Sequence, residues 1–482
     1  MRYVSTRALP APPKQYRTGP VSFNDALLSG LAADGGLYVP EHYPRVSPEQ
    51  LNAWRDLLQT QGYGALASQV LELFADGYPP DSIGQMTRQA YTAEKFGDPA
   101  IVPLQPIGQT SFWLAHLSNG PTASFKDIAM QLLGELLSYE LDQRDTTMTV
   151  IGATSGDTGS SAEHALMGRR RIKVVMLLPY KRVTPFQRAQ MLTIDDPAIT
   201  NLEIEGVFDD CQDLVKAINL DTAFKARFHI SAVNSINWGR VAAQVVYYFA
   251  AYLRSGHETV SFAVPTGNFG NILAGHVARE MGLPIDNLIL ATNENNVLDE
   301  FFRNGIYRPR QADLVHRTSS PSMDISKASN FERFVADLLR RDGARVAELF
   351  GPTLAQQGYF DLSWTPQFAG LRERFGFISG SASHADRLAV IRRWWQDYQI
   401  LIDPHTANAV HVAETFTIDG PVIVLETALP FKFADAIEQA TGFKPPLPAR
   451  FAGLEQATEQ SVIMPNDLTK VKRWIAKWLR LN

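Results

Sequence analysis

Residues 148–179 read MTVIGATSGDTGSSAEHALMGRRRIKVVMLLP, and the texture changes twice along them. MTVIGAT (148–154) is a short apolar run that reads as a buried strand. GSSAEHALMGR reads as the helix that follows it. IKVVMLLP (172–179) is the next strand, with another helix through FQRAQML. TVSFAVP (259–265), DNLILATN (286–293) and PVIVLET (421–427) repeat the strand pattern, each near a helical stretch. Strands that alternate with helices predict parallel sheets in an α/β fold. Upstream, residues 21–95 read as mostly helical. N-caps are expected at Ser22 and Ser47, and the turn and short extended piece DGGLYVP lies between them. Residues 1–20 carry Pro10, Pro12, Pro13 and Pro20 and read as an extended arm. A helix-rich first module ends near Pro99, and the polar, turn-rich stretch 306–330 crosses the surface or a domain cleft.

Composition narrows the function classes. The chain has 482 residues, enough for about three domains or for two large ones. Lys and Arg total 45 and Asp and Glu total 50, a net charge of −5, which argues against a nucleic-acid binder. Apolar residues at 45% and charged residues at 20% are ordinary for a globular enzyme. Cys211 is the single cysteine, so no intrachain disulfide forms, and the cysteine count fits a reducing, cytoplasmic location. MRYVSTRALPAPPKQY has no apolar signal core, and no run approaches a membrane span. The histidines form no HExxH pattern and there is no CxxC, so no metal site is expected.

Five segments can carry chemistry. In NGPTASFKDIAMQLLGELL (119–137), Gly120 and Pro121 make a turn, Ser124 is the expected N-cap, and Lys126 falls in the first turn of a helix. The positive helix end lowers the pKa of an ammonium there, which suits a lysine that forms a Schiff base or acts as a base. Taken alone, a solvated surface lysine is the stronger reading. ATSGDTGSSAEHA (153–165) leaves a strand and opens a helix. Its small residues and free amides favour an anion, with hydroxyls from Thr154, Ser155 and Thr158; a capped tight turn explains it equally well. PTGNFGNILAGHVA (265–278) is a second such turn, with Gly267 and Gly270 spaced for an anion nest. It lacks the third glycine of a dinucleotide fingerprint. NSINWGRVAAQVVYYF (234–249) brings Asn234, Ser235 and Asn237 ahead of Arg240, which can grip a phosphate or carboxylate, although a water-facing arginine after a capping segment is the simpler reading. In VLETALPFKF (424–433), Thr427 lies at the carboxyl end of a strand, where open α/β sheets bind ligands, and a routine turn is the alternative.

Together these segments resemble the threonine synthase family. Its members are pyridoxal 5′-phosphate (PLP) enzymes of fold type II, the tryptophan-synthase-β-like group. The resemblance spans nearly the whole chain, through YVSTR (3–7), GLAADGGLYVP (30–40), GPTASFKD, TSGDTG, EGVFDDCQ (205–212), NSINWGR, PTGNFGN, SPSMDIS (320–326), DPHTA (403–407) and TALPFKF (427–433). It is closest to the yeast-like and proteobacterial branch.

The resemblance implies an α/β, two-domain fold with parallel-type twisted sheets flanked by helices, plus a helix-rich N-terminal module at 1–95. Residues 96–125 and 234–482 are then the large cofactor-binding domain, and 126–233 the smaller mobile one. Lys126 carries PLP as its aldimine. Gly267, Asn268, Phe269, Gly270 and Asn271 hold the cofactor phosphate, Thr427 bonds the pyridine nitrogen, and Asp157 lies at the cofactor hydroxyl. Thr154, Ser155 and Thr158 receive the substrate carboxylate, and Asn234, Ser235 and Arg240 its phosphate. The implied substrate is O-phospho-L-homoserine. Its amine displaces Lys126, which then removes the α- and β-protons. Phosphate leaves from Cγ and water adds at Cβ, giving L-threonine and phosphate. A monomer and a homodimer stay equally open. Two departures stand out. Asn119 replaces the histidine that many members carry before GPT, and Asp157 stands where related enzymes often have asparagine. A carboxylate beside a phenolate must be protonated, accept a hydrogen bond or point elsewhere. The competing readings are another fold type II enzyme, such as a serine/threonine dehydratase or a β-replacement synthase, and a non-catalytic PLP-binding relative.

Overall fold

The computed structural model describes residues 1–9, 19–231 and 235–481, and is built around two parallel sheets. The larger has the strand order Phe377–Ser381, Ile285–Thr292, Val260–Pro265, Val422–Leu425, Phe112–Ala115, Leu104–Pro106. Only its last pair is antiparallel. The smaller runs Val462–Pro465, Ile199–Glu205, Ile172–Pro179, Met148–Ala153, Ile230–Ser231, all parallel. The apolar runs of these strands are buried because helices cover both faces of a parallel sheet.

Two helices tie the layers together. Trp238–Ser255 is apolar nearly all round, and every residue of it but Arg254 is buried. Lys126–Gln143 packs both on it and on Asp157–Leu166. The second packing is close because Gly134 has no side chain: a Cβ there would lie 2.5 Å from the Ala165 carbonyl oxygen. Beside it, Arg169 makes a two-pronged ion pair with Glu135, at 2.8 and 2.6 Å. This close approach sets the starts of the two helices, with Lys126 on one and Asp157 on the other, side by side. Gly134→Ala gains about 1 kcal/mol of helix propensity but pushes a methyl into a backbone oxygen that cannot swing away. Overpacking of that kind costs about 1–3 kcal/mol. Denaturant unfolding is therefore expected to show net destabilisation.

The first module is helical as expected. Ser22 caps Phe23–Ser29, and Ser47 with Gln50 forms a full capping box on Pro48–Gln61. The strand Tyr38–Pro40, from DGGLYVP, pairs antiparallel with Tyr3–Ser5. Buried Arg333 fixes that strand to the site, donating to the carbonyls of Tyr38 (2.9 Å) and Ile236 (2.5 Å) and to Asn330 Oδ1 (2.6 Å).

Two expectations need correction. The smaller unit is not confined to 126–233, because the C-terminal strand Val462–Pro465 joins its sheet and the helix Leu468–Leu481 packs behind it. The N-cap of Lys126–Gln143 is Phe125, not Ser124. Ser124 is instead engaged in a β-bridge to Ala428. Of the proline-rich arm, residues 10–18 lie outside the described residues.

Candidate active site

Lys126 is the first residue of its helix and keeps 14% of its side-chain exposure. The loop before it is zipped to the turn that follows the strand Val422–Leu425. Phe125 N–H donates to the Thr427 carbonyl at 2.9 Å, and Leu429 N–H to that of Ala123 at 3.2 Å. Asp127, next to the lysine, is spent on holding this loop. It accepts from Thr122 N–H (2.8 Å), Thr122 Oγ1 (2.7 Å) and Ser161 Oγ on the neighbouring helix (2.7 Å). Local chemistry thus puts Lys126 and Thr427 on one rim.

Asp157, at the start of the facing helix, is buried among four donors. Lys432 Nζ lies 2.6 Å from Oδ1 and Lys126 Nζ 3.7 Å from Oδ2. Gln187 Nε2 donates to Oδ1 at 2.8 Å and Ser322 Oγ to Oδ2 at 3.0 Å. Burial by itself raises the pKa of this carboxyl. The two lysines overcome that and hold it far below the usual carboxylate range, so Asp157 is ionised. Lys126 is shifted the other way. Its burial lowers the amine pKa, Asp157 pulls it back up in part, and Lys432 and Arg240 add smaller repulsions.

The loop Gly267–Asn271 turns from the strand Val260–Pro265 into the helix Gly270–Glu280, with Phe269 at φ 62° as its N-cap. A Cβ on Gly267 would sit 2.9 Å from Met323 Cα, so only glycine lets this loop lie against 322–323. The opening amides of the helix point their N–H groups away from its own carbonyls, as an anion requires. Tyr247 and Tyr248 grip the Asn271 side chain at 2.6 and 3.0 Å. Asn268 donates to Ser235 Oγ and accepts from Ser329 N–H at 2.6 Å. Arg240, in the first turn of Trp238–Ser255, is only 4% exposed, yet its Nε and Nη1 have no partner among the described residues. Burial pushes its pKa down to about 10. An unpaired guanidinium this deep is a site prepared for an anion.

The comparisons with known proteins agree with this geometry. Family models described as "Threonine synthase N terminus", "Pyridoxal-phosphate dependent enzyme" and "Threonine synthase, C-terminal" match residues 2–91, 95–349 and 406–475. A threonine synthase from Corynebacterium glutamicum is 54% identical over 98% of both chains. The chain belongs to the threonine synthase family. The crystal structure of PLP-bound threonine synthase from Brucella melitensis superimposes at a TM-score of 0.92, with 42% identity and full coverage of both chains. That of threonine synthase from yeast gives 0.90, with 33% identity over 100% of this chain and 99% of the other. The protein is therefore a PLP-dependent enzyme of fold type II, a lyase acting on a small molecule.

Within this threonine synthase fold the expected residues divide. Lys126 pairs with Asp157, Arg240 acts on Lys126 as a nearby charge, and the Gly267–Asn271 loop reaches Ser235 through Asn268. Ser155 is exposed and Thr158 half-buried at the helix start. Thr154 has a different job: its hydroxyl accepts from the amides of Gly156 (3.0 Å) and Gly159 (2.9 Å) and shapes the loop itself. Asn234 lies outside the described residues. The carbonyl of Asn119 accepts from Arg450 Nη1 at 2.6 Å. Three groups were not singled out from the sequence: Lys432, Ser322 and the pair Asp403–His405. His405 Nδ1 lies 2.6 Å from Asp403 Oδ1, and its Nε2 accepts from Ser322 N–H at 3.0 Å, which braces the Ser322 contact to Asp157. The signal for Lys432 is its aromatic flanks, Phe431 and Phe433, which mark a buried segment.

Proposed function

We propose that the site converts O-phospho-L-homoserine and water to L-threonine and inorganic phosphate, with Lys126 as the reacting amine. The observation that carries this is Arg240. A buried, unpaired guanidinium close enough to repel Lys126 supplies a second anion site besides the Gly267–Asn271 loop. One site suits the phosphate of PLP and the other the phosphate of the substrate. A dehydratase or β-replacement enzyme needs only the first.

The donor set fits PLP. Gly267 to Asn271 would bring helix-start amides to its phosphate, Lys126 would hold it through its amine, and the Thr427 hydroxyl would be a neutral partner for its ring nitrogen. When bound, PLP supplies the electron sink that makes the substrate Cα and Cβ protons removable. Lys126 Nζ, whose burial lowers its pKa and eases loss of its proton, takes the proton from Cα and then from Cβ. Arg240 and Ser235 bind the substrate phosphate and steady it as it leaves from Cγ. Ser155, Thr158 and the helix start behind them receive the substrate carboxylate. Asp157 stays ionised, held by Lys432, Gln187 and Ser322, and so answers the concern about a carboxylate near the cofactor hydroxyl with its own cations. Phe186, Phe431 and Phe451, with ring centroids 4.8–5.4 Å apart, pack beside Ala123 and keep bulk water from that side.

The test is a side-by-side assay of the PLP-loaded protein. Phosphate and threonine are expected in equal amounts from O-phospho-L-homoserine, with little 2-oxo acid from L-threonine. Rapid 2-oxo acid formation with no phosphate release would support the dehydratase reading instead.

A further inference from the structure

The site holds a second buried lysine. Lys432 is fully buried in the turn Pro430–Phe433, and its Nζ is committed twice: to Asp157 Oδ1 at 2.6 Å and to the Thr122 carbonyl at 2.9 Å. Lys126 stands farther from the same carboxylate, at 3.7 Å. One carboxylate therefore faces two ammonium groups, and it lies closest to the one that is not at a helix start. Among the described residues the one other acid that favours a charge on Lys126 is Asp127, and its effect is the weaker. Asp127 is spent on Thr122 and Ser161, while Arg240 brings a further positive charge.

We propose that Lys432 is a positioning residue whose ammonium takes the nearer share of Asp157, so that Lys126 is left with only a shared and more distant counter-ion and gives up its proton more readily. This rests on the assignment of Lys126 as the reacting amine. A cation beside a buried lysine is a known way to free its lone pair. Here the cation also pins the Thr122 carbonyl, and so the loop that carries Lys126. The charged groups that set the titration of Lys126 are Asp157, Lys432, Arg240 and, on its own helix, Asp127; His164 and Arg450 act on Asp127 instead. Of these, only Lys432 and Lys126 reach the Asp157 carboxylate as cations. Removing Lys432 hands Asp157 to Lys126. The Lys126 ammonium is then stabilised, and its deprotonation moves to higher pH.

The experiment uses the cofactor-free full chain. Lys126 is methylated with formaldehyde and cyanoborohydride at a series of pH values, and the labelled peptide is quantified by mass spectrometry. In Lys432→Met the midpoint is expected to rise by about one pH unit or more, with about tenfold less labelling at neutral pH. Lys432→Arg keeps the charge and is expected to stay near the parent. Asp157→Asn removes the shared anion and is expected to lower the midpoint, which provides the reading if Lys432→Met does not fold. A parent-like midpoint in folded Lys432→Met, or in Asp157→Asn, would overturn the proposal. No substrate or cofactor is present, so a failed threonine assay leaves this measurement intact, and the reverse also holds.

Discussion

Lys126→Ala is expected to abolish threonine formation, by at least about 10⁴-fold, because in the proposed reaction it removes the cofactor-binding amine and the base for two proton transfers at once. The visible absorbance of the PLP-loaded protein should disappear with it. The fold should survive. Asp157 keeps Lys432, Gln187 and Ser322 after the change, so no buried carboxylate is left unpaired. Asp127, which holds the loop through Thr122 and Ser161, is untouched. Circular dichroism and thermal melting should thus match the parent while turnover is lost. A variant that is inactive and also unfolded would instead mean that Lys126 is structural.

Arg240→Met is expected to separate function from stability. Arg240 is a buried cation whose Nε and Nη1 have no partner among the described residues, and its pKa is pushed down to about 10 by burial. Relative to an ordinary arginine, this costs the folded state roughly 3 kcal/mol below that pH. A methionine of similar length fills the space with no charge to desolvate. The variant should melt no lower than the parent, and it gains about 1 kcal/mol or more if packing is good. Its catalysis should fall, because removing one partner of a buried charge pair costs about 2–5 kcal/mol, or about 30- to 400-fold in kcat/KM at the lower half of that range. PLP affinity should change little, since the Gly267–Asn271 loop is intact. Loss of stability with unchanged kcat/KM would point to a packing role for Arg240 and remove the substrate-phosphate assignment.

Much of this arrangement is legible in the sequence because it is local. IKVVMLLP at 172–179 is a strand to the residue, since its apolar run is bounded on both sides. Ser22 and Ser47 cap where side-chain chemistry puts them. The glycine-rich turns sit at strand ends because the tight backbone path there admits only small residues. What is not legible depends on distant partners. The strand Val462–Pro465 is four residues long, and its neighbour Ile199–Glu205 is far away in the chain, so no local period marks it. Ser124 has the chemistry of a cap, but its backbone is drawn into the bridge to Ala428. Thr154 looks like a ligand donor and turns out to brace its own loop. Lys432 lies five residues beyond Thr427 in a segment already singled out. Its importance comes only from the Asp157 that folding brings to it.

The role of Lys126 is most directly tested by chemical trapping of the PLP-loaded protein. Borohydride reduction fixes the cofactor to the lysine that holds it, and peptide mass analysis identifies that lysine. The two buried lysines on either side of Asp157 make the result decisive. The pyridoxyl label is expected on Lys126 alone, with Lys432 unmodified because its Nζ is already bonded to Asp157 and Thr122. A label on Lys432, or on a lysine outside the site, would contradict the assignment on which the proposed reaction rests.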